Sequence, residues 1–131
     1  MKIRNDFVTN SSSSSYIISF KEPEDEVGKK WFNVIKDMIV DSCSSNETDK
    51  GQVLKNKEDV DNYIRDCMEI SSKSEFLDWY DEDYWNILHL PETTGIQLVA
   101  KYIGYDDESL VSAIKALEAA NLGIKIEQVD G

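Results

Sequence analysis

The sequence predicts an α+β fold, with a mixed sheet of about three to five strands packed against about four helices. Segments with the apolar spacing of helices are interspersed with short segments that are typical of strands. The length of 131 residues favours a single domain over residues 1–131. From residue 96 the chain reads strand–helix–strand, and the short connections favour two parallel strands joined by a right-handed crossover.

The N-terminal part predicts one strand and one long helix. Residues 16–20 alternate so that Tyr16, Ile18 and Phe20 point to one face. Residues 2–8 are a candidate partner strand, connected through residues 9–14, so that residues 1–15 form either a hairpin or an N-terminal arm. The helix predicted over residues 24–41 has Pro23 in its first turn and an apolar stripe at helical spacing, comprising Trp31, Val34, Ile35, Met38 and Ile39.

The middle of the chain predicts further helices and one ambiguous segment. Asn56 is the expected N-cap of a helix over residues 57–70, whose apolar side holds Val60, Tyr63, Ile64, Cys67 and Met68. Ser72 and Glu75 have the spacing of a capping box before a short helix. Residues 85–90 fit either a strand or the end of that helix, and residues 91–95 predict a turn.

The C-terminal part predicts the strand–helix–strand unit directly. Residues 96–103 read as a strand, and Asp106 or Asp107 is expected to cap a helix over residues 107–120. The run Asn121-Leu122-Gly123 is a favourable helix stop, in which Gly123 is free to adopt positive φ. Residues 124–129 form the last predicted strand.

The charge balance narrows the expected partners. There are 14 basic and 26 acidic residues, which gives a net charge of −12. Nucleic-acid binders need a basic surface, and anionic membranes repel acidic chains, so we expect neither as a direct partner. The sequence contains no apolar run of membrane-spanning length and no signal-peptide pattern, which favours the cytoplasm with reduced thiols.

The residues needed for common catalytic and metal sites are scarce. His89 is the only histidine, and Cys43 and Cys67 lack the spacing of a zinc site. Asp81, Asp83 and Glu92 approach the spacing of a calcium loop, but Asn86 stands where that loop requires glycine. We therefore expect no catalytic residue, no metal ligand and no cofactor, and we interpret the protein as a non-enzyme.

One N-terminal string is distinctive. It comprises Asp6, Phe7, Val8, Thr9, Asn10, Ser11, Ser12, Ser13, Ser14 and Ser15, followed by the aromatic Tyr16. It resembles an N-terminal signature of small uncharacterised proteins from low-GC Gram-positive bacteria, their phages and mobile elements, which differ downstream. The resemblance covers about a tenth of the chain and implies a bacterial or phage setting. Combined with the expected cytoplasmic location, this setting predicts the cytoplasm of the bacterial host cell. The serine run itself is typical of a polar connection or arm.

Residues 75–85 combine acidic and aromatic residues without any base. In one interpretation Phe76, Leu77, Tyr80 and Tyr84 face the core, and the acids form a solvated rim. In the other, the segment is a protein-binding surface in which aromatic anchors are surrounded by a negative field. The residues expected to bind the partner are Asp78, Trp79, Asp81, Glu82, Asp83 and Trp85.

The leading hypothesis is a small, acidic, non-catalytic protein of phage or mobile-element type. It would bind stoichiometrically to a host or bacterial protein that has a basic surface. In the most specific version of this hypothesis, the protein is an anti-defence inhibitor that mimics nucleic acid. One alternative is a small cytoplasmic enzyme that uses carboxylates or His89. Another is an accessory or assembly domain that is recognised through its serine-rich N-terminus.

Overall fold

In the part of the chain that the structure describes, a four-stranded antiparallel sheet forms the centre of the fold. The computed structural model describes residues 13–42, 48–94, 96–104 and 107–130. The strands are β1 (Ser13–Phe20), β2 (Gln52–Leu54), β3 (Gln97–Gly104) and β4 (Ile124–Asp130). Their order is β2-β3-β1-β4, and every neighbouring pair is antiparallel, so the sheet is not mixed.

The predicted α+β class and the C-terminal strand–helix–strand unit are confirmed. Because β3 and β4 both run antiparallel to β1, they are parallel to each other. They are not neighbours, however, since β1 lies between them. In a simple crossover, β4 would lie directly beside β3. In this sheet, β1 occupies that position.

The described residues contain six α-helices, more than the expected four, because residues 73–94 form three short helices. The helices are α1 (Glu26–Asp41), α2 (Lys57–Asn62), α3 (Lys73–Trp79), α4 (Glu82–Leu88), α5 (Leu90–Thr94) and α6 (Glu108–Ala119). Residues 85–90 are thus mainly helical, and the turn predicted over residues 91–95 is wrong, because residues 91–94 belong to α5.

Each face of the sheet packs against its own set of helices. Ile17, Leu98 and Ala100 point to a core shared with α2, α3 and α4. Ile18, Val99 and Ile103 point to a second core shared with α1 and α6. Neighbouring strand residues enter opposite cores because strand side chains alternate between faces. As a result, α1 and the α3–α4 region lie on opposite sides of the sheet.

The sheet and the α2 segment differ from the predicted boundaries for clear reasons. Strand β1 begins at Ser13, so Ser13 and Ser14, which were expected to lie in a connection, pair with β3. After α2 the chain continues as a π-helical turn, Tyr63–Cys67, in which Met68 N–H donates to Tyr63 O at 3.1 Å. The wider turn rotates later residues off the apolar stripe, so Cys67 is exposed instead of buried.

Several predicted caps are present. Asn56 Oδ1 accepts from Asp59 N–H at 2.9 Å, and Ser72 Oγ accepts from Glu75 N–H at 3.1 Å. Asp107 precedes α6, but its side chain does not cap the helix. Its carboxylate is buried and accepts a 2.5 Å hydrogen bond from Thr48 Oγ1.

The predicted inward face of α1 is largely wrong. Phe32, Lys36 and Ile39 are the buried residues of the helix, whereas Trp31, Val34 and Met38 are exposed. Lys36 tolerates this position because its Nζ donates to Gln97 Oε1 at 2.7 Å and lies 5.3 Å from the centre of the Phe32 ring. Burial lowers the pKa of the Lys36 ammonium.

Several predictions lie outside the described residues. They concern the strand over residues 2–8, signature residues 6–12, Cys43 and Asp106.

Candidate protein-binding surface

The acidic segment over residues 75–85 folds as two short helices with a break between them. Tyr80 and Asp81 have extended backbone angles, so α3 ends at Trp79 and α4 begins at Glu82. Glu75, Asp78 and Glu82 therefore do not share one helix face, contrary to the continuous helix considered for this segment. The break also turns the acids that follow it into the first residues of a new helix.

The start of α4 explains part of the acidic cluster. Asp81 is the N-cap, and its Oδ1 accepts from Tyr84 N–H at 2.8 Å. Glu82 and Asp83 lie in the first turn, where the positive end of the helix dipole favours carboxylates. Glu75 has a comparable structural role, because its Oε1 accepts from Ser71 N–H at 2.9 Å.

Asp78 is the acid of this region that helix capping does not explain. It is exposed and occupies the last turn of α3. A carboxylate there opposes the negative end of the helix dipole, which costs about 0.3–1 kcal/mol. Its position is therefore locally unfavourable, unlike those of the three acids at the start of α4.

Most aromatic side chains of the segment belong to the core. Phe76 and Tyr84 are buried, and the Phe76 ring lies 5.1–5.3 Å from the rings of Tyr80, Tyr84 and Trp85. Trp79 and Trp85 are half-buried against the same core. Leu77, which was expected to face inward, is exposed. Each of the two tryptophans thus has one part packed against the core and another part accessible to solvent.

A lysine from outside the segment supplies a positive charge that the sequence pattern did not indicate. Lys73 Nζ lies 3.4 Å from Glu82 Oε2 and 5.7 Å from the centre of the Trp85 ring. The pair is exposed, so its contribution to stability is small. It orients Lys73 across Trp85 and offsets the charge of Glu82.

We refer to the exposed carboxylates of Asp78, Asp81, Glu82 and Asp83, with the half-buried Trp79 and Trp85, as the acidic surface. All six are the residues that the sequence singled out for partner binding, and the α3–α4 junction holds them in one region.

His89 is placed by contacts that suit a packing role. Its Nδ1 lies 2.8 Å from Trp85 O, and its ring stacks on the Trp85 ring with 4.2 Å between centres. Its Nε2 lies 3.4 Å from Glu92 Oε2, which forms an ion pair when the imidazole is protonated. These contacts tie the C-terminus of α4 to α5 and support the indole that borders the acidic surface.

Within the described ranges, no group of three or more His, Cys, Asp or Glu side chains is placed to hold a metal ion. No helix of those ranges is long and apolar enough to cross a membrane. Comparison of the chain with family models, with curated proteins and with solved structures finds no match.

Proposed function

We propose that this chain is a non-catalytic binding protein that engages a basic surface of another protein stoichiometrically. The observation that carries the proposal is the position of Asp78. Its exposed carboxylate lies where the helix dipole disfavours it, close in sequence to three further exposed acids. A residue that costs local stability, in a region already rich in like charge, is typical of a surface kept for binding.

The acidic surface suits a basic partner on physical grounds. A group of like charges accelerates the encounter with an oppositely charged protein and discriminates against acidic ones. Trp79 and Trp85 add amphipathic contact area at low entropic cost, since their inner sides are already packed. We expect the carboxylates to determine the association rate and the indoles to determine the lifetime of the complex.

In the narrower version of the proposal, the partner is a bacterial host protein whose nucleic-acid-binding surface becomes covered, as in an anti-defence inhibitor of phage origin. The net charge of −12 and the resemblance of residues 6–16 to the phage and mobile-element signature support it. Because phosphate binding relies on basic side chains, such a protein is a natural target for a surface of carboxylates.

The test is affinity capture from a bacterial host lysate at low and high salt, with mass spectrometric quantification of bound proteins. The test variant is Asp78→Lys with Asp83→Lys, which spares the Asp81 cap and the contact between Glu82 and Lys73. The matched control is Glu22→Lys with Glu127→Lys, two exposed acids outside the acidic surface. Circular dichroism verifies that both variants fold.

We expect one partner that the wild type and the control capture at low salt, that high salt releases, and that the test variant fails to capture. Equal capture by the test variant, or no partner at either salt, would contradict the proposal. Displacement of the chain from the purified partner by double-stranded DNA would support the nucleic-acid version, and lack of competition would exclude it.

A further inference from the structure

Helix α1 carries an apolar stripe on the side that faces away from the sheet. Val27, Trp31, Val34 and Met38 are 65%, 63%, 49% and 65% exposed. At about 100° per residue, these four side chains occupy only about 60° of the helix circumference. The opposite side of α1 already holds the helix against the sheet through Phe32, Lys36 and Ile39. The stripe is therefore available for a contact with another molecule.

The spacing of the stripe is that of a coiled-coil seam. Its members follow one another at intervals of four, three and four residues, which matches alternating a and d positions. The edges of the seam differ in character. One edge carries Lys30 and Asp37, both exposed, and the other carries Gly28 and the half-buried Ile35.

Antiparallel pairing of two α1 helices makes these edges complementary. A twofold axis between positions 32 and 33 places Val27 against Met38 of the second copy, and Trp31 against Val34 of the second copy. On the charged edge, Lys30 comes within about 3 Å along the axis of Asp37 of the second copy. The symmetry repeats this opposite-charge contact, while the small Gly28 faces Ile35 on the other edge.

The alternative pairing lacks this match. Parallel helices would stack Trp31 on Trp31 and place Lys30 beside Ile35, which leaves no opposite-charge contact between the edge residues.

Two chains of net charge −12 also repel each other. The stripe itself is uncharged, and in the antiparallel pairing the edge with Lys30 and Asp37 complements the same edge of the second copy. Electrostatic repulsion between the two chains is therefore reduced at this face.

We propose that a second copy of this chain docks on the apolar stripe, with the two α1 helices antiparallel. The 16 residues of α1 give a contact about 24 Å long. Such an interface is at or below the lower limit of about 1,200 Å² for stable complexes, so the dimer is weak. The acidic surface lies on the opposite side of the sheet and remains accessible in the dimer.

The first experiment is sedimentation equilibrium of the full chain from about 10 µM to about 1 mM, concentrations at which weak complexes form. The wild type shifts from monomer to dimer across this range, and the dimer persists in high salt because its centre is apolar. The Trp31→Glu variant remains monomeric. The control Leu122→Glu changes an exposed leucine outside α1 and dimerises like the wild type.

The second experiment tests the antiparallel arrangement. Lys30→Asp and Asp37→Lys each place like charges together and weaken the homodimer roughly 3- to 30-fold. Mixing the two variants restores opposite-charge contacts at both ends, so the heterodimer forms in preference to either homodimer.

Three results would overturn the proposal: a wild type that stays monomeric, Trp31→Glu that dimerises normally, or an equimolar mixture with no preference for the heterodimer. Persistence in high salt separates this dimer from the salt-sensitive capture of a basic partner, so each idea fails independently of the other.

Discussion

Lys101 lies inside the protein in the middle of β3, with only 3% of its surface exposed. Its Nζ donates to Ser42 O at 2.6 Å, to Asp49 O at 2.5 Å and to Val40 O at 3.2 Å. These carbonyls come from the end of α1 and from the chain that follows. One ammonium therefore uses three donors to hold the C-terminus of α1 against the sheet, where the helix dipole also favours a cation.

The Lys101→Met variant keeps most of the side-chain volume and removes the donors. Val40 O also accepts from Gly51 N–H at 2.9 Å, so it retains a partner. Ser42 O and Asp49 O each lose a charge-assisted bond, at about 1.5–3 kcal/mol apiece. The variant also avoids the desolvation cost of burying an ammonium group, which offsets part of this loss. We expect the free energy of unfolding to fall by about 3 kcal/mol.

Urea unfolding followed by circular dichroism measures this change. The control is Lys125→Met, which removes an exposed lysine from β4 and should change the free energy of unfolding by less than about 0.5 kcal/mol. A Lys101→Met variant within about 0.5 kcal/mol of the wild type would refute the argument that the buried ammonium stabilises this junction. An equal fall in the free energy of unfolding of both variants would indicate that the change in net charge, and not the buried ammonium, causes the effect.

Two further predictions concern stability. Burial raises the pKa of Tyr63 from 10.0 to about 12, so the neutral phenol stabilises the fold below pH 10, and this contribution, at most about 3 kcal/mol, disappears as the pH rises to 12. Urea titrations should therefore show a smaller alkaline loss for Tyr63→Phe than for the wild type, and equal losses would contradict the assignment. Gly123 has φ of +79°, and an added Cβ would lie 3.0 Å from Lys21 O. Gly123→Ala should lower the free energy of unfolding by about 1–2 kcal/mol, and an unchanged value would contradict the strain argument.

Local sequence signals predicted features that depend on neighbouring residues. The caps at Asn56 and Ser72 form because a side chain accepts a hydrogen bond from a nearby N–H, and the chain leaves α6 through Asn121 and Gly123, which both adopt positive φ. Each needs only a few residues of context. The same logic, applied once the break at Asp81 is known, accounts for the acids at the start of α4.

The orientation of α1 could not be obtained in this way. Its apolar residues cover both the side that packs on the sheet and the side that faces away from it, so helical spacing alone did not identify the inner one. Burial of Lys36 decided against the simplest interpretation, and that burial requires Gln97, a residue 61 positions away. Lys101 is a similar case, because its acceptors come from segments 52 to 61 residues distant.

The sequence by itself determined the α+β class, most helix starts and the identity of the acidic surface, because periodicity, capping and charge are local properties. The tertiary structure alone decided that β1 separates β3 from β4 and that a π-helical turn exposes Cys67. It also decided that the apolar stripe of α1 faces outward. These outcomes depend on contacts between distant segments, and the free energy of such contacts is not encoded in the spacing of residues along one element.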